Sequence, residues 1–296
     1  MDIDYELYKV FYHVAKTLSF SEAASELFIS QSAVSQSIKT LEKRLDLQLF
    51  LRSTKKVMLT KEGEILFKHI EPAVKLIVKG ENKILASRKT GDIELRVGAS
   101  DTICRYYLMP FFKSFHEQFP DISLKVMNGT SKMCANLLES GQVDLIITNS
   151  PNEAINDTMK YEALRDFKDV FYANKEFFPF VDKEMGFKEL SKLPLLMLES
   201  RSTTSEYLHE QFLKKSLELV PSIELASNDQ LIDLAKIGLG IAFVPDYMID
   251  NRKDKDMYVL TVKDKMPTRR IIAAYDESSD LSQPARFFLD SLKVGL

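Results

Sequence analysis

The stretch from Ser19 to Leu45 constrains the fold most, because it sets helix caps, a tight turn and a polar helix face in close succession. Ahead of it, Leu7, Val10, Phe11 and Val14 recur at helical spacing and mark a first helix, which turns at Thr17, Leu18 and Ser19. Ser19-Phe20-Ser21-Glu22 is a capping-box pattern, in which the Ser19 hydroxyl and the Glu22 carboxylate can each take the other's backbone N–H. A short second helix through Ala23, Ala24 and Leu27 follows. Phe28-Ile29-Ser30 makes a turn, and Ser30 caps a third helix whose buried face is Val34, Ile38, Leu41 and Leu45.

The opposite face of that third helix carries Gln31, Ser32, Ser35, Gln36, Lys39 and Lys43, with Ser30 at its start. Short polar side chains at a helix N-terminus suit the major groove, where Gln pairs bidentately with adenine and Ser reaches either base type. Lys39, Lys43 and Arg44 lie further along, placed for phosphates, which position the helix without reading sequence. Residues 49–51 and 57–59 then read as two short strands around the basic tip Arg52-Ser53-Thr54-Lys55-Lys56.

The runs Phe20-Ser21-Glu22-Ala23-Ala24, Ser30-Gln31-Ser32-Ala33-Val34-Ser35-Gln36-Ser37-Ile38, Leu41-Glu42, Leu49-Phe50-x-Arg52 and Leu59-Thr60-x-x-Gly63 resemble, in order and spacing, the signature of LysR-type transcriptional regulators. The resemblance implies a winged helix-turn-helix over residues 1–60, with Arg52, Lys55 and Lys56 on backbone or minor groove of double-stranded DNA. Two departures stand out: Asp46 replaces the Gly usual after the third helix, and Pro72 falls inside the next one.

Thr60 can cap a long helix to about Arg88, with Leu66, Ile70, Val74, Ile77 and Ile84 as a stripe able to pair with a second copy. Residues 61–90 thus resemble the family's dimerisation helix, and Pro72 should bend or restart it. A twofold homodimer sets its recognition helices about one DNA turn apart, matching a pseudo-palindromic operator. The resemblance further implies a homotetramer built as a dimer of dimers, with RNA polymerase as a partner.

After Thr90-Gly91 strands and helices alternate, as in an α/β sheet with crossover helices. Ile93, Leu95, Val97 and Ala99 make a strand, Ser100 opens a helix that ends before Pro120, and Ile122, Leu124 and Val126 make the next strand. A helix from Ser131 to Ser140 closes at Gly141, and Leu145-Ile146-Ile147 is the third strand. The order recurs in residues 195–198, a helix from Ser202, residues 223–225, a helix from Asn228 ended by Gly238, and Ile241-Ala242-Phe243-Val244 stopped by Pro245. Two such units resemble the two lobes of the LysR-type sensor, similar in fold to periplasmic solute-binding proteins. The fold class expected is therefore α+β and multidomain. Crossings near Glu162 and Lys265 give lobe I residues 91–162 plus 266–296 and lobe II residues 163–265. Ligands of open α/β sheets bind at the carboxyl ends of strands. There lie Ser100, Thr102, Thr130, Ser131, Thr148, Ser202 and Thr203, a set of hydroxyls and helix N-termini suited to a small anionic effector. Arg201 can add charge if it turns inward, and each hydroxyl is equally a helix cap.

The net charge of −3 divides unevenly: residues 1–90 hold 15 Lys/Arg against 11 Asp/Glu, and the remainder 25 against 32. The acidic start of the chain is unlike a secretory signal and no apolar run is long enough to span a bilayer, so a cytoplasmic protein with no membrane partner is expected. His13, His69, His116 and His209 are scattered and no phosphate-cradling Gly-rich loop exists, so no enzyme, cofactor or metal site can be assembled. Two other regulators remain open at this stage: a redox sensor using Cys104 and Cys134, and a DNA-binding protein that ignores ligands.

Overall fold

The computed structural model describes residues 4–52, 56–87, 94–250, 252, 254–277 and 281–294, and the chain divides into two compact units, residues 1–88 and 89–296. In the first unit, α1 (Tyr5–Thr17), α2 (Phe20–Leu27) and α3 (Gln31–Leu45) are each opened by a side-chain cap, from Asp4, Ser19 and Ser30. Each ends on a residue with positive φ: Leu18, Phe28 and Asp46. The position where glycine was missing is thus a left-handed helix exit taken by Asp, which tolerates that conformation better than most residues. Only half of the expected capping box forms: Ser19 Oγ accepts from the Glu22 N–H, while the Ser19 N–H goes to Thr17 Oγ1.

Val10, Phe11, Val14, Ala23, Val34, Ile38 and Leu41 close one core with Leu49 and Phe50. Strands β1 (Phe50–Arg52) and β2 (Val57–Leu59) pair antiparallel, Phe50 opposite Leu59. Helix α4 (Lys61–Ser87) follows and runs through Pro72 without restarting. Its stripe serves two ends: Leu66, Phe67 and Ile70 pack on the winged-helix core, whereas Leu76, Ile77 and Ile84 are exposed. Leu66 and Ile70, expected to face a second copy, are therefore committed to their own domain.

The second unit holds two five-stranded sheets. Lobe I uses β3 (Glu94–Ala99), β4 (Ser123–Asn128), β5 (Leu145–Ser150), β6 (Met159–Phe167) and β12 (Arg269–Asp276), ordered β4-β3-β5-β12-β6. Lobe II uses β7 (Asp169–Asn174), β8 (Leu195–Leu198), β9 (Ile223–Leu225), β10 (Ile241–Pro245) and β11 (Met257–Val259), ordered β11-β7-β10-β8-β9. In each lobe three strands are parallel, and the fourth, β12 or β7, arrives antiparallel from the other lobe. β6 pairs with β12 along its whole length, so the first crossing falls at Lys168, beyond the Glu162 expected, and the second ends at Arg269 rather than Lys265. Residues 163–167 thus belong with lobe I. Strand β10 and the first half of β5 are apolar, and both strands are buried because helices cover both faces.

Those helices are α5 (Asp101–Ile103), α6 (Met109–Gln118), α7 (Ser131–Glu139), α8 (Phe187–Leu190), α9 (Thr203–Leu213), α10 (Asn228–Lys236) and α11 (Gln283–Val294). Between α5 and α6 the single helix expected from Ser100 widens into a π turn, Cys104–Leu108. Pro110 explains the irregularity, since it has no N–H for a regular bond one turn back.

Candidate DNA-reading surface and ligand pocket

Ser30 occupies its hydroxyl in capping α3, accepting from the Ala33 N–H at 3.2 Å. Behind it Gln31, Ser32, Gln36, Lys39 and Lys43 are exposed, and Ser35 is half-buried. Because Val34, Ile38 and Leu41 are fully buried on the other face, the helix cannot roll, and this polar row is held outward. Glu42 fixes the wing to the helix: its Oε1 accepts the Leu49 and Phe50 amides at 2.8 and 3.2 Å. Arg52 closes β1 and the exposed Lys56 precedes β2, while Lys55 lies outside the described residues. Sequence reasoning passed over Phe28, which stands 95% exposed beside the start of α3.

In the second unit a pocket of about 320 Å³ lies between the lobes. Six of the seven expected residues line it: Ser100, Thr102, Thr130, Ser131, Ser202 and Thr203. Ser100, Thr130 and Ser202 also cap helices, accepting from Ile103, Met133 and Ser205 N–H. A capping hydroxyl keeps its own proton free to donate, so both roles coexist. Thr148 is not in the wall: it is buried and accepts from Asn152 Nδ2 at 3.3 Å. β5 runs to Ser150, past the expected end at Ile147, so alternation of side chains delivers Asn149 to the pocket instead. Asn149, Asn228 and Tyr247 were missed, and only Asn228, at a helix start beside a strand end, carried a signal of the kind used for Ser202.

Arg201 lines the pocket but is exposed. The stronger cation is Arg269, 1% exposed directly under the start of α9. It donates to Asp169 Oδ2 at 2.8 Å, Thr204 Oγ1 at 3.1 Å and Thr203 Oγ1 at 3.4 Å, and lies over the Phe167 and Tyr207 rings. Burial pushes the Asp169 carboxyl up, against the pull of the guanidinium. Across the cleft, Asn228 Nδ2 donates to Thr102 Oγ1 at 3.0 Å and Lys132 meets Glu206 at 2.5 Å. Arg252 donates to both Tyr106 and Asp229, and Tyr106 donates to Asp229.

Cys104 and Cys134 are both buried, and burial lifts their thiols to about 12 and about 11, which favours the protonated form of each. Among the described residues no cluster of His, Cys, Asp or Glu could hold a metal, and no helix is long and apolar enough to cross a membrane.

A winged helix-turn-helix followed by a two-lobed ligand-binding module defines a DNA-binding transcriptional regulator with an effector-binding domain. Residues 5–64 match the bacterial regulatory helix-turn-helix model of the lysR family and residues 90–295 the LysR substrate binding domain, and the chain belongs to the LysR family. It is similar to a probable RuBisCO transcriptional regulator of Phaeodactylum tricornutum, 27% identical with 95% of this chain and 93% of the relative covered. It is also similar to the HTH-type transcriptional activator CmpR of Synechocystis, 26% identical, covering 96% and 93%. The fold matches HinK of Pseudomonas aeruginosa with a TM-score of 0.59 at 18% identity, covering 99% and 98%.

Proposed function

We propose that the protein reads a pseudo-palindromic operator as a homodimer joined through α4, assembling further into a dimer of dimers and acting on RNA polymerase at the promoter. A small anionic metabolite between the lobes shifts the arrangement of the DNA-reading heads, and it can do so only by binding one arrangement better than another. The observation that carries the DNA reading is the row Gln31, Ser32 and Gln36, exposed on a helix whose other face is immobilised in the core. Lys39 and Lys43 then hold phosphates, and Arg52, Lys55 and Lys56 touch backbone or minor groove. Ser100, Thr102, Thr130, Ser131, Ser202 and Thr203 surround the effector. The chemistry fits a cytoplasmic protein.

Binding of purified protein to DNA upstream of its own gene, across a salt series with unrelated competitor, tests this reading. Competitor-resistant protection of two spaced half-sites is expected. Gln31→Ala should erase most of the preference over random DNA, at a cost of about 1–3 kcal/mol, whereas Lys39→Ala should weaken both equally and shallow the salt slope by about one. Identical behaviour of the two variants would overturn the division of roles.

A further inference from the structure

Two side chains in the pocket wall are more than nine-tenths buried yet each has an oxygen without a partner, Asn149 Oδ1 and Asn228 Oδ1, at 8% and 6% residue exposure, and the buried Tyr247 hydroxyl lies beside the Asn149 amide. Buried polar atoms are ordinarily paired, and an orphan of this kind costs about 1–3 kcal/mol unless a ligand or water meets it. Both are carbonyl oxygens, which only accept. Asn228 is oriented so by its own bond, because its Nδ2 donates to Thr102 Oγ1 and turns Oδ1 elsewhere.

Helices α7, α9 and α10 begin at the same wall, and first-turn amides have no partner inside their helix. The N-caps of α7 and α9 each satisfy one such amide, but Ser227 makes no side-chain cap for α10. This side of the pocket offers donors and positive dipole ends, the complement of a carboxylate. The Asn149 and Asn228 oxygens ask for the opposite, an N–H or O–H. Sulfate or a plain fatty or aromatic carboxylate brings acceptors alone and leaves both oxygens unmet.

Charge narrows the class further. The buried cation beside the pocket, Arg269, is already paired with Asp169, which leaves the exposed Arg201 as the unpaired cation among the described residues of the wall, a single charge that suits a monoanion better than a dianion. Asp101 and Glu199 are exposed where they line the pocket, and they disfavour a second negative group while favouring an ammonium. The volume, about 320 Å³, lies at the small end of ligand sites.

We propose that the pocket takes a small monocarboxylate bearing amine or hydroxyl donors, its carboxylate on the helix N-termini and Tyr247 and its donors on Asn149 and Asn228. The proposal rests on the reading of this pocket as the effector site.

The test is stabilisation and binding of the full-length protein with five probes: L-serine, D-glycerate, propionate, sulfate and glycerol. L-serine or D-glycerate should raise Tm and bind at least about tenfold more tightly than propionate, sulfate or glycerol, because a site built for a donor rejects analogues lacking it. Serine ahead of glycerate identifies the amine as the preferred donor, and the reverse identifies the hydroxyl. Asn149→Leu should reduce the preference for glycerate over propionate to within about twofold, while Asn228→Asp, which keeps an acceptor at that position, should retain it. Propionate or sulfate binding as tightly as serine and glycerate overturns the donor requirement, as does the absence of binding by all five. Ala226→Phe, filling the pocket from its wall, separates the two levels. Loss of propionate or sulfate binding in that variant leaves the effector site in place and removes only the donor requirement. Serine or glycerate binding that survives it places the ligand elsewhere and removes both.

Discussion

Phe28 holds a left-handed conformation, φ 55°, with its ring almost wholly in solvent, so the folded domain bears a backbone cost and recovers little by burial. A left-handed non-glycine residue costs roughly 1–2 kcal/mol, and Phe28→Gly should raise the urea midpoint by the equivalent of about 1 kcal/mol. A lower midpoint would mean that the ring stabilises the turn despite its exposure. Gly63 is the opposite case. A Cβ there would lie 2.2 Å from the Leu49 carbonyl oxygen, a clash with backbone that no rotamer relieves. Gly63→Ala should therefore destabilise the domain by more than about 2 kcal/mol, measurable in the same denaturation series. Such residues show what was legible at this scale. Caps were readable because they act within four residues of themselves, and Ser19, Ser30, Thr130 and Ser202 all cap as their neighbours imply. Asn149 was not, because its place depends on β5 extending three residues beyond its apolar run, a length fixed by pairing with β12.

At the scale of elements, α4 has two environments along one stripe. Its first turns complete the winged-helix core, and Leu76 is 65% exposed farther along, with Ile77 and Ile84 exposed beside it. Periodicity announced the helix but not which of its apolar residues were already taken, since that depends on α1 packing against its start. Leu76→Glu with Ile77→Glu should leave the winged domain folded and shift the protein from dimer to monomer in sedimentation, with loss of the second protected half-site. A dimer that persists would move the interface elsewhere. The short helix α8 is held differently, by two carboxylates at its start: Asp264 Oδ2 accepts the Phe187 N–H at 2.7 Å and Glu189 Oε2 the Gly186 N–H at 2.9 Å. Those bonds favour the charged forms and hold both groups below their usual pKa. The stability they give is complete above the ordinary carboxylate range, near pH 4, and is lost as pH falls through the depressed folded values. Asp264→Asn should flatten that acid limb of a Tm–pH profile, and an unchanged limb would assign it to other groups.

Across the whole molecule, the hinge strands were the least legible part of the sequence. β6 and β7 carry polar residues at alternate or edge positions and are joined through Lys168 alone, so nothing local announces that the chain changes sheet there. What fixes the crossing is long-range: Asp169 opens β7, Arg269 opens β12, and the two meet in a buried ion pair that ties both crossings to the first turn of α9. Removing one partner of such a pair costs about 3–5 kcal/mol, so Asp169→Asn should lower Tm sharply, and Asp169→Leu with Arg269→Met should recover part of the loss. The cleft has a separate clasp. Asp229 receives Tyr106 from the π turn of lobe I and Arg252 from lobe II, at 2.5 and 2.6 Å, so the irregular turn and α10 share one carboxylate. Hydrogen bonds to a charged group contribute about 1.5–3 kcal/mol, equivalent to roughly tenfold or more in an opening equilibrium. Asp229→Asn should accordingly raise hydrogen exchange about tenfold for amides of the π turn and α10, leaving β5 and β10 protected. Exchange that rises in the central strands as well would show general destabilisation, and exchange unchanged everywhere would show that the lobes are held by the Asn228–Thr102 and Lys132–Glu206 contacts without this clasp.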